Sequence, residues 1–215
     1  MRVFPDPCAS RYIIAVSLGL FFFSCRGVAD DDEFTIGSKL PPLSKLMAVD
    51  GTEWDSKQLA AAKVVIIVFT CNQCPYSVDY EDRLNALHRK HSVPEGDVML
   101  LVVNSNAGPD ESLAQMKARA QEKQFEFPYV KDADQSVARG LGAVYTPEFF
   151  VFDRDRQLVY KGALDDATRF DEVRTNYVDS AVAALLAGNP VKTTKTGARG
   201  CTIRFKRRRQ RGGNP

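Results

Sequence analysis

A chain of 215 residues, 44% of them hydrophobic and 26% charged, with a formal net charge of +2, has the ordinary make-up of a soluble globular protein. Its class must therefore come from the order of its residues, and so small a charge singles out no partner. The length suits one domain with a substantial core, no internal repeat divides it, and five cysteines are too few for a scaffold stapled by disulfides.

The chain begins with Arg2 and Arg11, an apolar run over residues 12–23, and Gly27-Val-Ala29 ahead of the acidic Asp30-Asp-Asp-Glu33. A charged start, a short apolar core and small residues before an acidic stretch read as a secretory signal peptide over residues 1–29. The core is shorter than the about 20 residues that span a bilayer. A rival reading makes Cys25 a lipid-modified residue, but Phe22 and Phe23 are bulky where such a site prefers small or Leu-like side chains. The expected setting is export, to a bacterial periplasm or cell envelope, with membrane contact only through this segment. Cys8 and Cys25 leave with it, and the odd three cysteines that remain, Cys71, Cys74 and Cys201, point to thiol chemistry.

Residues 36–43 read as an extended segment, and apolar runs on either side of Asp50-Gly51 as a β-hairpin over residues 46–54. Asp55 or Ser56 can cap a short helix reaching residue 62. Then comes Val64-Val-Ile-Ile-Val-Phe69, apolar without alternation, a strand buried on both faces as in a parallel sheet. After Thr70-Cys-Asn-Gln-Cys-Pro75 the pattern turns helical, with Tyr80, Leu84, Leu87 and His91 on one stripe and Pro75 in the first turn. A loop at 94–97 leads to a second buried strand at 98–103, ending in Asn104-Ser-Asn106. A helix is expected over 110–124, a short strand over 127–130 and a short helix over 134–141 closed by Gly142. Strands alternating with helices imply parallel pairing and an α/β fold. Residues 145–152 and 158–161, joined by a polar turn, form an antiparallel hairpin. A last helix spans 173–186, residues 192–199 are loose and polar, and 201–205 form a final strand. The basic run Lys206-Arg-Arg-Arg-Gln-Arg211 heads a tail, 206–215, that reads as a solvated end rather than a nucleic-acid or lipid contact.

The two thiols of the C-x-x-C box stand where strand becomes helix. Unpaired N–H groups and the positive end of a helix favour an anion, so the thiol there is expected to ionise below the free value of about 8.5. Cys71, the more exposed position at a helix start, is expected to be the nucleophile and Cys74 the resolving thiol. A C-x-x-C is also half of a metal site, but no second Cys/His pair at zinc-like spacing follows, and His88 and His91 read as packed or half-exposed helix residues. No phosphate or nucleotide loop is present in the sequence, and no cofactor is expected.

These motifs, together with Thr146-Pro-Glu148, Phe152-Asp-Arg154, Tyr160-Lys-Gly162 and Gly200-Cys-Thr-Ile-Arg-Phe-Lys206, resemble the thioredoxin-fold superfamily. Within it they resemble bacterial redoxin-domain proteins related to the alkyl hydroperoxide reductase and thiol-specific antioxidant family. The resemblance implies a thioredoxin-like domain over residues 30–205, a central mixed β-sheet flanked by helices, with an N-terminal hairpin extension and a C-terminal strand. It also implies a cis peptide at Thr146-Pro147, the proline beside the disulfide and the Thr146 backbone available to a bound substrate. Thr70 stands where thioredoxin has an aromatic residue and Val65 where it has a buried acid, so the resolving thiol lacks its usual proton helper. Glu148 or water could take that part, or Glu148 could be a surface residue. The peroxiredoxin pattern P-x-x-x-T-x-x-C, measured back from Cys74, meets Cys71 and Ile67 in place of its threonine and proline.

The expected activity is thiol–disulfide exchange through Cys71 and Cys74 on protein or small-molecule disulfides and thiols, with a redox partner that recycles the pair and no nucleic-acid partner. A thiol peroxidase and a copper-handling protein are the alternatives from other classes. Cys201 reads either as a small buried hydrophobe packed on an edge strand or as a second resolving thiol brought back to the active helix.

Overall fold

The computed structural model describes residues 34–43, 45–92 and 96–207. The expected leader at 1–29, with Cys8 and Cys25, lies outside the described residues, as do residues 208–215 of the basic tail. Leu46–Ala48 (β1) and Glu53–Trp54 (β2) make the expected hairpin. At its turn Gly51 takes φ +91°, and the Asp50 carboxylate accepts the N–H of Thr52 at 2.8 Å. Asp55 then caps the turn of 3₁₀ helix Ser56–Leu59 in a reciprocal box with Gln58, and this turn stops at Leu59, short of residue 62.

Val64–Phe69 (β3) follows, and all six side chains are buried. The helical stripe behind the C-x-x-C box is real but divided, into Pro75–Asp79 (α1) and Glu81–His91 (α2), with Tyr80 at the joint. Val98–Asn104 (β4), Leu113–Glu122 (α3), Tyr129–Lys131 (β5) and Ser136–Gly140 (α4) complete the alternating part. Tyr145–Thr146 (β6), Glu148–Phe152 (β7), Leu158–Gly162 (β8), Tyr177–Leu186 (α5) and Cys201–Thr202 (β9) close the chain.

Seven strands form one sheet in the order β2-β1-β5-β4-β3-β7-β8, with β3–β4 and β4–β5 parallel and the remaining pairs antiparallel. Alternation along β3 divides the core. Val64, Ile66 and Val68 pack with Leu84, Leu87, Val102 and Val178 on one face, while Val65, Ile67 and Phe69 pack with Leu59, Leu101, Ala138 and Phe150 on the other. Each of the larger side chains among them contributes about 1.5–3 kcal/mol by leaving water. Because both faces are covered, β3 is apolar at every position, and Cys71 follows just beyond its C-terminal end.

Several elements differ from expectation. The strand read at 145–152 breaks at Pro147, which has no N–H to give a ladder, so β6 leaves the main sheet and pairs with β9. The helix read at 110–124 starts only after Ser112, whose hydroxyl accepts the N–H of Gln115, leaving Pro109–Glu111 as a separate turn. The last helix begins at Tyr177 rather than at 173. Residues 192–199 are not loose: Thr194 O accepts the N–H of Lys161 at 3.0 Å, Thr196 N–H donates to Lys161 O at 3.1 Å, and the Thr196 hydroxyl meets Tyr160 Oη at 2.6 Å. The final strand is only Cys201–Thr202, after which Ile203 N–H donates to Val144 O at 2.8 Å and Arg204 N–H to Asn106 Oδ1 at 2.8 Å.

Candidate active site

Three segments meet at the C-terminal end of β3. Cys71 follows Thr70, which is held to β4 by its N–H to Val103 O at 2.9 Å. Cys74 is the N-cap of α1 with Pro75 at the first helical position, and its carbonyl accepts the N–H of Val78 at 3.0 Å. Facing both is Thr146, whose peptide to Pro147 is cis, as the resemblance implies. Cys71 Sγ lies 3.4 Å from Thr146 Oγ1, and the Cys74 thiol donates to Thr146 O at 3.1 Å. The third segment is β9, whose Cys201 stands opposite Thr146, accepts its hydroxyl at 3.3 Å and points its own N–H at Cys74 Sγ, 3.4 Å away. All three cysteines are unpaired thiols.

Their environments differ from what local sequence suggests. Cys71 is 6% exposed and Cys74 2%, so neither presents an open nucleophile, whereas Cys201 is exposed. Burial pushes the Cys71 thiol up; the Thr146 hydroxyl pulls it down, the Glu111 charge raises it, and the N–H groups of Cys74 and Gln73 lower it, with a net rise above the ordinary thiol value. The expected depression at a helix terminus is thus reversed, because desolvation, helped by a nearby carboxylate, outweighs the Thr146 hydroxyl and two backbone donors. At Cys74 burial also opposes ionisation, but hydrogen bonds from the Cys201 side chain, the Ser77 N–H, the Cys201 N–H and the Ser77 hydroxyl outweigh it, and its thiol falls below the ordinary value. Cys201 is pushed up to about 11, first by its side-chain hydrogen bond to Cys74. Thr146→Val, which removes the hydroxyl that favours the Cys71 thiolate, is expected to slow iodoacetamide labelling of Cys71 at a given pH and to move its pH–rate profile upward. An unmoved profile would mean the 3.4 Å contact carries no charge stabilisation.

Sequence reasoning missed Glu111. It is 2% exposed, and its carboxylate accepts the N–H groups of Asn72 at 2.9 Å and Gln73 at 3.2 Å, together with Asn104 Nδ2 at 2.7 Å. Around it Asn104 Nδ2 also donates to Tyr129 Oη at 3.0 Å, Tyr129 Oη donates to Asn72 Oδ1 at 3.0 Å, and Asn72 Nδ2 donates to Asp110 O at 2.8 Å. Burial holds the Tyr129 hydroxyl well above its ordinary value, so it serves this network as a neutral donor. The signal was present in outline: Asp110-Glu111 follow the end of a strand parallel to β3, so both strand ends open on the same edge of the sheet. A buried acid does stand at the site, but on the connection after β4 rather than at the Val65 position.

Glu148 is not a surface residue. It is buried, its Oε2 accepts the N–H groups of Val144 at 2.7 Å and Tyr145 at 3.1 Å, and Lys161 Nζ lies 3.9 Å from Oε1, so it fixes the backbone that leads into Thr146-Pro147. The Thr146 backbone, expected to be open to a substrate, is already engaged by Cys74 and β9. Cys201 is not a packed hydrophobe, since it is exposed and adjoins Cys74. His91 bonds Asp179 Oδ1 at 2.6 Å, and burial pulls His88 below its ordinary value.

Residues 35–178 match the family model described as Redoxin. The chain belongs to the Redoxin family. Two solved structures are similar to it: an uncharacterized conserved protein from Geobacillus kaustophilus, 33% identical with TM-score 0.74 over 81% of this chain and 94% of that one, and a hypothetical protein from Sinorhizobium meliloti 1021, 32% identical with TM-score 0.73 over 80% and 95%. The fold is also that of a thioredoxin-like protein solved in its oxidised form, at 18% identity and TM-score 0.57 over 73% of this chain and 99% of that one. A search of the curated proteins finds no match. The redoxin chain thus carries the expected α/β fold, a mixed thioredoxin-like sheet flanked by helices with its hairpin at one edge.

Proposed function

We propose that this redoxin is an exported thiol–disulfide oxidoreductase that works through Cys71 and Cys74. The observation that carries the reading is the placement of both sulfurs on one residue, Thr146, at 3.4 and 3.1 Å, at the junction of a buried strand and a helix. The Cys71 thiolate attacks one sulfur of a substrate disulfide. The bond to Cys71 forms as the substrate's disulfide breaks, and the departing substrate thiolate takes a proton. The Cys74 thiolate then attacks Cys71 Sγ and expels the second substrate thiolate, leaving a Cys71–Cys74 disulfide and a substrate reduced by two electrons. Each sulfur suits its step: Cys71 is slightly the less covered of the two, and Cys74 is the thiol whose anion its neighbours favour. Because Cys71 sits above the ordinary thiol value, its attack accelerates as pH rises through and beyond the neutral range. A partner must then reduce the pair, and the direction of flow follows from a potential in which ~30 mV corresponds to ~1.4 kcal/mol.

The test is trapping. Cys74→Ser is expected to accumulate mixed disulfides at Cys71 when mixed with an exported-protein extract or with a small aromatic disulfide, while Cys71→Ser does not trap through Cys74. If Cys71→Ser traps and Cys74→Ser does not, the roles are reversed; if neither traps, the exchange mechanism fails. Hydroperoxide reduction is a second reading, favoured by the stabilised Cys74 thiolate. In it Cys74 takes one peroxide oxygen to become a sulfenic acid, releasing an alcohol or water, and Cys71 condenses with it to give the same disulfide and water. Stopped-flow consumption of cumene hydroperoxide by the reduced protein, lost in Cys74→Ser, distinguishes it from exchange.

A further inference from the structure

We propose that Cys201 is a third redox thiol, the exposed terminal through which the buried Cys71–Cys74 pair is reduced, by transfer of the disulfide to Cys74–Cys201. The inference rests on the exchange reading of Cys71 and Cys74 and assigns the sulfur that meets the outside reductant.

Accessibility sets the problem. An external thiol can meet the Cys71–Cys74 pair only through the narrow opening at Cys71, 6% exposed and already the sulfur that serves the substrate, since Cys74 is 2% exposed. Cys201 is exposed and abuts the more deeply buried of the two. Its position is built rather than incidental. β9 pairs with β6 so that Cys201 is opposite Thr146, the residue that touches both other sulfurs. The preceding residue is Gly200, where a Cβ would stand 2.1 Å from Thr146 O, so only glycine permits β9 to lie this close. On the far side, Ile203 N–H to Val144 O and Arg204 N–H to Asn106 Oδ1 pin the segment, and Gln135 Nε2 donates to Arg204 O at 2.9 Å.

In the oxidised protein the Cys201 thiolate, its proton lost to solvent, attacks Cys74 Sγ. A Cys74–Cys201 bond forms, the Cys71–Cys74 bond breaks, and Cys71 leaves as a thiolate that takes up a proton, with no net change in oxidation state. One thiolate of an external dithiol then attacks the exposed Cys201 Sγ and expels the Cys74 thiolate. The second thiolate of that dithiol attacks the mixed disulfide, releasing Cys201 and an oxidised dithiol. Two electrons have passed from the dithiol to the protein. The charges favour this order. Cys74, whose anion still accepts from Ser77 and from the Cys201 N–H, is a stabilised leaving group in the second step. In the reduced protein the thiol of Cys201 is held protonated by donating to Cys74; once Cys74 is locked in a disulfide that acceptor charge is gone, and Cys201 regains its nucleophile when the transfer requires it.

Oxidation of Cys71→Ser with one equivalent of diamide, followed by alkylation and peptide mapping, is expected to convert most molecules to a Cys74–Cys201 disulfide. Alkylation of both residues would overturn the proposal, because Cys201 would then be unable to reach Cys74. Gly200→Ala in the Cys71→Ser background is expected to lose most of that disulfide by pushing β9 off Thr146; an undiminished yield would show that the β6–β9 pairing does not position Cys201. With only Cys201 changed to serine, an exposed substitution compatible with folding, reduction of the Cys71–Cys74 disulfide by reduced thioredoxin used as a bulky dithiol probe is expected to slow by about tenfold or more. An unchanged rate would remove the terminal role. The underlying reading fails separately and visibly, if the wild-type protein forms no Cys71–Cys74 disulfide with diamide.

Discussion

Replacing Glu111 by alanine is expected to unfold the active-site loop before the rest of the protein and to lower global stability by several kcal/mol. The carboxylate is the acceptor for three donors, the N–H groups of Asn72 and Gln73 and the side-chain amide of Asn104. Each buried donor left without an acceptor costs about 1–3 kcal/mol, partly recovered where water can enter. Glu111→Gln separates structure from charge: it keeps an acceptor oxygen and removes the negative charge that opposes the Cys71 thiolate. Cys71 is therefore expected to ionise at lower pH in Glu111→Gln, and its alkylation pH profile to move down, even as stability falls. Thermal melts and pH-dependent iodoacetamide labelling read the two effects independently. A profile that moves upward would show that Glu111 acts on Cys71 by some route other than its charge.

The second large effect concerns the helix that carries the site. Arg83 on α2 bonds Asp165 through Nη1 at 3.0 and 3.3 Å, with side-chain exposures of 7% and 2%, and Arg83 also donates to the carbonyls of Ala167 and Thr168. Tyr80 Oη approaches the same carboxylate at 3.4 Å, and the guanidinium lies 4.4 Å from the centre of the Tyr80 ring. This cluster ties the start of α2 to the segment after β8. Asp165→Ala leaves a buried guanidinium without its counter-charge, at a cost of about 3–5 kcal/mol. For a domain of this size that corresponds to a fall in Tm of roughly 10 °C. Arg83→Met combined with Asp165→Ala is expected to recover part of the loss, because no unpaired charge is then buried. If the double variant is no more stable than Asp165→Ala, the cost lies in packing around Tyr80 and not in the orphaned charge.

Much of the framework was legible because its signals are local. The unbroken apolar run of β3, the turn chemistry of Asp50-Gly51, the Asp55 cap and the helical stripe of Tyr80, Leu84 and Leu87 are each set by neighbours a few residues apart, and each formed. The places where the reading slipped are those where a distant partner competes with local preference. The helix read from 110 gives way at its start because Glu111 accepts the N–H groups of Asn72 and Gln73 in a separate turn. Residues 192–199 are nearly featureless as sequence, yet Thr194 and Thr196 find the free edge of β8. Cys201 stayed divided between packing and a second resolving thiol because nothing in Gly200-Cys-Thr-Ile-Arg-Phe205 tells which strand it will join.

The sequence by itself determined that a C-x-x-C pair would sit where a doubly buried strand turns into a helix, since periodicity, β-branched content and the position of Pro75 are properties of contiguous residues. It also determined the order of strands and helices that makes the sheet mixed, with parallel neighbours joined by crossovers. Only the tertiary structure decided the electrostatics of the thiols and the company they keep. Whether Cys71 ionises early or late depends on desolvation and on the Glu111 charge arriving from the connection after β4, both of which act through space. Cys201 reaches Cys74 only because β9 pairs with β6, a contact set by hydrogen bonding between segments far apart in the chain and by the absence of a side chain at Gly200.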